Sequence, residues 1–537
     1  MPFVLLCPSS GTGFPWLISL GRPDVRVSTL CPFSSSSVIC RSYDRQLTTK
    51  SGRPTTAPDD SLPICYLLAF LIFCRICVRK RKRVPMAEAA RPQVSRRYRW
   101  IVLIVISIAQ GGNYYIYDSI NPLERIFIEQ LGYSGTRFGW LNSSYSLAAV
   151  LTLLVGGLII DKFGIRKALL IFAALCFLGA ALTAAQGNFV TMVTGRTVLG
   201  LGAESMIVAV TVALAKWFKG KELSFAFGVN LTIARLASVA ADNSPTWANA
   251  AFYPQGPSGP PSWRGPLLIA VGAGVLSLAT SLIYWLLETR AERQYALGKA
   301  GEVDRLEMKG ILRFDRSYWY IVALCFTFYS AIFPFRTFAI DFFTNKILAM
   351  HGGVNALDAA KVWAHEHAGF FNSLLPLSAM VATPLFGLWS DKVGRRAQFM
   401  MFGSLLLMPV YLLMAYSDVS LWVPVSMMGI AFSLIPAVMW PSVAYIVEQS
   451  RLGTAYALMT LIQQIGFFIM NLLIGKANDY AGAGLSNVRG YALGMWIFSI
   501  LGFVGMTLAI LLRIRETGPH GHGLETITTA SAAASGA

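Results

Sequence analysis

The sequence predicts an all-α membrane protein of twelve transmembrane helices, arranged as two six-helix bundles related by pseudo-symmetry. Three observations carry that expectation. Hydrophobic residues make up 55% of the 537-residue chain and charged residues only 13%, with a mean hydropathy of +0.55. A soluble domain carries roughly 25% charge, so most of this chain faces lipid. A short block also recurs: Gly156-Gly157-Leu158-Ile159-Ile160-Asp161-Lys162-Phe163-Gly164-Ile165-Arg166-Lys167 returns as Phe386-Gly387-Leu388-Trp389-Ser390-Asp391-Lys392-Val393-Gly394-Arg395-Arg396. The interval from Asp161 to Asp391 matches six spans with short loops, so each half is one repeat. Finally, basic clusters such as Lys162/Arg166/Lys167, Lys216/Lys219/Lys221 and Lys392/Arg395/Arg396 alternate with nearly uncharged loops. That alternation follows the positive-inside rule and puts the basic loops in the cytosol. The net charge of +18 therefore reads as topology; no basic face interleaved with aromatic residues points to nucleic acid.

Taken in order, residues 1–97 read as an N-terminal extension without sustained period, rich in Ser, Pro and Cys, and disordered or preceding a true start at Met86. Its one apolar run, Leu62 to Val78, is interrupted by Arg75 and followed by basic residues, the reverse of a cleaved signal. Six of the eight cysteines precede Met86, and Cys176 and Cys325 fit no metal or disulfide spacing. Apolar runs near the ~20 residues needed to cross a bilayer follow at 98–121, 137–160, 168–187, 190–215, 222–241 and 265–287, the first bundle (98–287). A charged cytosolic hinge, 288–317, precedes runs at 318–345, 367–389, 398–416, 420–446, 454–476 and 490–512, the second bundle (318–512). The outer loop from Thr246 to Arg264 holds Pro254, Pro257, Pro260 and Pro261 and is expected to be irregular. The Gly-, Thr- and Ala-rich tail, 513–537, is expected to be disordered.

Depth singles out the candidate site. Glu204 lies about 13 residues before the inner end of the fourth run, and Arg235 about 13 residues after the start of the fifth, so both stand ~20 Å from the inner boundary. An ionised side chain at that depth costs at least ~2.5–3.5 kcal/mol and must face a partner or water. Two readings satisfy that demand: an ion pair clipping the fourth helix to the fifth, or a receptacle for a zwitterion, Glu204 taking an ammonium and Arg235 forking onto a carboxylate. Tyr114, Tyr115, Tyr117, Trp440, Gln463, Gln464 and Asn471 fall where they either wall a polar cavity or pack helices through polar contacts. Asp118 and Arg336 stand at equivalent points of the two repeats, ~27 Å from the inner end. They either form a latch that closes the exterior or snorkel outward separately, with Asp341 a competing neighbour of Arg336.

In the repeated turns, Asp161 and Asp391 can meet a neighbouring helix N-terminus, and Arg166, Lys167, Arg395 and Arg396 can pair across the cytosolic face, stabilising the outward-open state. His351, His365 and His367 are expected in a solvated loop and form no metal set. The sequons at Asn142 and Asn230 fall inside apolar helices. No cofactor or catalytic chemistry is implied.

The repeated turn resembles the signature of the major facilitator superfamily. The stretch Lys216-Trp217-Phe218-Lys219-Gly220-Lys221-Glu222-Leu223-Ser224-Phe225-Ala226-Phe227-Gly228, with Ala234-Arg235-Leu236-Ala237-Ser238, Trp440-Pro441-Ser442-Val443-Ala444, Leu452-Gly453-Thr454-Ala455-Tyr456, Gln463 and Gly466, resembles the lysosomal dipeptide transporter family more narrowly. The resemblance implies an alternating-access carrier of dipeptides working by facilitated diffusion, with Glu204 and Arg235 at positions that family uses for substrate. It also implies that the repeated turns act as a conformational lock. Proton coupling through Glu204 stays open, as do two other readings: uptake of an organic or sugar acid through Arg235 and Arg336, and a membrane receptor or scaffold that binds without translocating. The Ala-rich composition, short loops and missing dileucine signal point to a bacterial cytoplasmic membrane rather than a lysosome. They also put in doubt the accessory subunit the family uses, leaving the small-molecule substrate and the lipid bilayer as partners.

Overall fold

The computed structural model describes residues 5–8, 15–18, 94–218, 222–295, 314–448 and 451–528, the side chains of residues 5–8, 15–18, 154, 158, 161 and 224 excepted. It divides into two units, 1–84 and 85–537. In the first, Leu5–Pro8 and Pro15–Ile18 pair as an antiparallel ribbon, Cys7 opposite Trp16. The extension is thus not wholly irregular, because its two short apolar runs can pair with each other. The run Leu62 to Val78 lies outside the described residues, as does most of the hinge.

In the second unit, twelve helices of 20 residues or more are found among the described residues: α1 (Arg96–Asp118), α2 (Gly135–Phe163), α3 (Ile165–Ala185), α4 (Phe189–Phe218), α5 (Leu223–Asp242), α6 (Arg264–Gln294), α7 (Arg316–Met350), α8 (Asp358–Val393), α9 (Arg396–Tyr416), α10 (Trp422–Ile446), α11 (Leu452–Tyr480) and α12 (Ala492–Thr517). Eleven stretches among the described residues are long and apolar enough to cross a membrane, and α2 has the length to do so with its 29 residues. Local chemistry sets the ends. Ser95, Ser134 and Asp315 accept from the backbone N–H of Tyr98, Arg137 and Ser317 and so cap α1, α2 and α7. The α2–α3 and α8–α9 turns pass through Gly164 and Gly394 at φ +78° and +70°, which L side chains rarely adopt. α1 stops at Asp118, short of the expected 121; Asn121–Leu123 forms a 3-10 turn with Pro122 in its first positions, and a new helix starts at Glu124.

Several boundaries move. α8 starts nine residues earlier than expected, so His365 and His367 sit on a helix; His365 is buried, bonded to the Tyr253 hydroxyl at 2.9 Å and the Pro122 carbonyl at 2.8 Å. It is a structural group, not a solvated one. The outer loop forms two single-turn helices, Ser244–Trp247 and Asn249–Phe252, before its prolines. The tail is ordered well beyond α12: Leu524 is fully buried, and residues 518–528 lie against the start of α9.

Helix packing reproduces the duplication. In the first half α1 packs on α5 and α6, α2 on α4, and α3 on α4 and α6; in the second, α7 packs on α8, α11 and α12, α8 on α10, and α9 on α10 and α12. The halves meet through α2 against α11 and α5 against α8. Glycines permit both approaches, since a Cβ on Gly139 would collide with the Asn471 carbonyl, and one on Gly369 with that of Asp242. Asp479, near the outer end of α11, accepts from the backbone N–H of Gly135 and Thr136 at 2.6 and 2.8 Å and caps the outer end of α2 across the interface. Towards the basic side, Leu151 and Val155 on α2 and Val381 and Leu385 on α8 are exposed. Among the described residues, the hydrogen bonds between the halves lie at mid-depth and towards the outer side, which reads as a molecule closed outside and open towards the basic loops.

Candidate functional site

Midway along the interface, Glu204 of α4 is half-buried and faces the other half. Its Oε1 accepts from the Tyr145 hydroxyl of α2 at 3.1 Å and from Gln464 Nε2 of α11 at 2.9 Å. Both donors bond the same oxygen, which leaves Oε2 for another donor, and the buried Gln464 Oε1 has no partner. Arg235 of α5, also half-buried, places its guanidinium 5.9 Å from the Tyr114 ring of α1 and 5.7 Å from the Phe432 ring of α10. Cation–π contact holds such a group without consuming its hydrogen-bond donors.

Glu204 and Arg235 form no ion pair among the described contacts. The clip reading fails because α4 packs mainly on α2 and α3 while α5 packs on α1 and α8. Around them Trp440 donates to the Tyr329 hydroxyl at 2.8 Å and accepts through its carbonyl from Tyr456. The Tyr117 ring lies 4.6 Å from that of Tyr145, tilted by 54°. Gln463 is half-buried, while the amide of Asn471 turns back to the carbonyl of Phe467 on its own helix.

Outward of this level, Arg336 of α7 is buried between two carboxylates, Nη2 at 2.7 Å from Asp242 and Nη1 at 3.5 Å from Asp118. Asn372 of α8 donates to Asp242 Oδ1 at 2.9 Å, and Asn121 donates to both aspartates. The structure thus brings Asp118 and Arg336 together, but the shorter bond goes to Asp242, which sequence reasoning left just past its fifth span. Asp341 is not the neighbour of Arg336; it accepts from the Tyr491 hydroxyl. A second buried cation, Arg196 of α4, bonds Asn142 at 2.7 Å and the carbonyls of Ile116 and Tyr117, and stacks on Tyr117 and Tyr145. An arginine in the middle of an apolar run was the signal for it.

Among the described residues, the turn side chains do not pair across the inner face. Arg166 bonds Glu292 at 2.5 Å within the first half, and Arg396 bonds Asp391 at 2.9 Å within the second. Arg395 adopts a left-handed backbone at φ 50° and donates its N–H to Glu525. The side chain of Asp161 lies outside the described residues. Arg166 and Arg396 are each taken by a carboxylate of their own half, so neither spans the inner face.

The family model described as Major Facilitator Superfamily matches residues 103–360 and 348–534. The chain belongs to the major facilitator superfamily. Among curated relatives it is 32% identical over 422 residues to the lysosomal dipeptide transporter MFSD1 of Danio rerio, covering 77% of this chain and 86% of the relative. The MFSD1 of Homo sapiens is 30% identical over 409 residues, covering 74% and 84%. Among solved structures, a bacterial homologue of the human lysosomal transporter Spinster, inward-facing and occupied, superposes with a TM-score of 0.60 at 15% identity, over 78% of this chain and 98% of that one. The nucleoside transporter NupG, as its D323A mutant, gives 0.59 at 12%, over 76% and 99%. These two likenesses concern the fold alone. As a member of this superfamily the chain is a multi-pass membrane transporter and not an enzyme.

Proposed function

We propose that this transporter carries small zwitterionic peptides, dipeptides above all, by alternating access. The observation that carries the reading is the unpaired arrangement of Glu204 and Arg235: opposite charges, both half-buried, both turned to the interface between halves, and neither consumed by the other. A free Glu204 oxygen suits an ammonium, and a guanidinium held by ring faces keeps its fork for a carboxylate. The tyrosines and Trp440 add a wall tolerant of different side chains. Relatives named as dipeptide transporters at about 30% identity support the same cargo.

The outer cluster of Asp118, Asp242 and Arg336 acts as the exterior gate, closed in this state, and the two repeated turns as the inner one. Uniport needs no group beyond this cargo site; a proton-coupled cycle through Glu204 would show as dependence on a pH gradient. On location, the relatives named for the lysosome favour an acidic internal membrane over a bacterial cytoplasmic one.

Uptake of labelled dipeptide into proteoliposomes tests the proposal. Accumulation is expected for the native chain. Glu204→Gln and Arg235→Ala should each weaken apparent affinity about 10–100-fold, the worth of one charge-assisted hydrogen bond. Accumulation of organic acids but not dipeptides, unaffected by Glu204→Gln, would overturn it in favour of an anion carrier. Binding without accumulation would favour a receptor.

A further inference from the structure

The two repeated turns are held differently: helix α6 braces the first, and the chain beyond α12 braces the second. In the first half Arg166 bonds Glu292, and Lys216 bonds Glu292 and Glu288, both glutamates being part of α6. In the second half the corresponding partner is not a helix. Residues 518–528 fold back from α12 as turns and lay their backbone along the start of α9. The Arg395 N–H donates to the Glu525 carbonyl at 3.1 Å, the Arg396 N–H to the Leu524 carbonyl at 3.2 Å, and the Arg396 guanidinium to the Ile527 carbonyl at 2.8 Å. The Glu525 carboxylate accepts from the Ala397 N–H at 2.8 Å, capping α9 from outside the helix. Leu524 is fully buried, and Glu516, itself buried, anchors the base of the segment by accepting from Ser317 at 2.5 Å and from the His522 backbone at 2.7 Å.

The main-chain N–H groups of Arg395, Arg396 and Ala397 and the two Nη groups of Arg396 are thereby engaged. Arg396, 1% exposed, divides its guanidinium among Ile527, Asp391 and the Tyr445 hydroxyl, with the Tyr445 ring 4.5 Å away. The same turn stands at the inner ends of α8 and α9, which must approach the first half when the carrier closes towards the cytosol.

We propose that residues 518–528 are a detachable cap on the second repeated turn, which holds the carrier in its cytosol-open state and is displaced when the inner mouth closes. The first turn needs no such cap, since its glutamates cannot leave α6. The cap follows α12 as turns with no helix running through it, so it can leave without unfolding a helix, and the hydrogen bonds it makes, each worth about 0.5–1.5 kcal/mol net, are enough in sum to bias a two-state equilibrium.

Spin labels on Lys162→Cys and Lys392→Cys, exposed at equivalent points of the two turns, in a background freed of other cysteines, report the width of the inner mouth by pulsed electron resonance. The full chain should give mainly the long distance. Removal of residues 518–537 should raise the short-distance population at least about threefold, and a synthetic peptide of residues 518–528 added in trans should reverse the rise. Leu524→Asp in the full-length chain, which loosens the cap without deleting it, should move the distribution the same way. Distributions identical in the full, truncated and Leu524→Asp proteins would overturn the proposal, as would a shift in the truncated protein that the peptide fails to reverse. The readout is a distance and not uptake, so it stands or falls apart from the identity of the cargo.

Discussion

At the scale of single residues, the outer cluster shows how unequally a shared charge divides. Arg336 lies at 2.7 Å from Asp242 and 3.5 Å from Asp118. Removing one partner of a buried pair strands the other and costs about 3–5 kcal/mol. Asp242→Asn should therefore lower the melting temperature in detergent clearly more than Asp118→Asn, and equal losses would show that the two carboxylates share Arg336 evenly. Outside the membrane, burial raises the Glu525 carboxyl above its usual range, against the opposing pull of the Ala397 N–H and the charges of Arg513 and Arg395. A carboxyl raised in the docked form binds its proton more tightly docked than free. Docking is then strongest in acid and weakens as pH rises through the raised value. Protease protection of the tail should fall over that window, and Glu525→Gln should flatten the profile. Depth counting was enough to single out Glu204, Arg235, Asp118 and Arg336, because charges inside apolar runs stand out without coordinates. Asp242 was legible in type but not in place, its carboxylate falling one residue beyond an estimated span end. Tyr145 and Phe432 carried no signal at all, since aromatic residues in apolar runs are ordinary.

Among the elements, α2 and α11 form the closest contact between the halves, and glycine makes it possible. A Cβ on Gly139 would strike the Asn471 carbonyl, and one on Gly475 the carbonyl of Gly135. Gly139→Leu should push the outer ends apart. The expected outcome is a rise in labelling of a cysteine at buried Asn142 by an impermeant reagent applied from the outer side, with little loss of folded protein; unchanged labelling would show that α5 against α8 suffices to seal the exterior. Element number and order were readable from hydropathy alone, because each span must satisfy its backbone internally and so runs as one uninterrupted helix. Helix ends were not: α7, α8 and α11 continue past the apolar stretch at one or both ends, where hydrogen bonding persists after the lipid requirement stops. The folding of the tail was hidden for a related reason. Its Gly- and Thr-rich composition describes a chain with no core of its own, and says nothing of a groove elsewhere that accepts its carbonyls.

For the whole molecule, the duplication was written in the repeated turn, and the packing of α2 on α11 and of α8 on α5 is its three-dimensional counterpart. Which of its alternating states the chain adopts could not be read from the sequence, since both use the same residues. The outer closure tells them apart. Asp479→Ala removes two charge-assisted bonds between the halves and should move the population towards the outward-open form, seen as a wider outer distance between labels on Thr136→Cys and Leu473→Cys. An unaltered distance would leave the closure to Arg336 alone. The amide groups that Asp479 grips belong to the main chain, and every residue type except proline supplies them. Drift at position 136 therefore leaves that donor in place, whereas a Cβ at position 135 would meet the Gly475 carbonyl at 2.9 Å and Asp479 Oδ1 at 3.0 Å, and a single change at position 479 abolishes the acceptor. Of the three positions in this fastening only 136 tolerates side-chain replacement, so inherited or engineered loosening of the external seal should concentrate on Gly135 and Asp479.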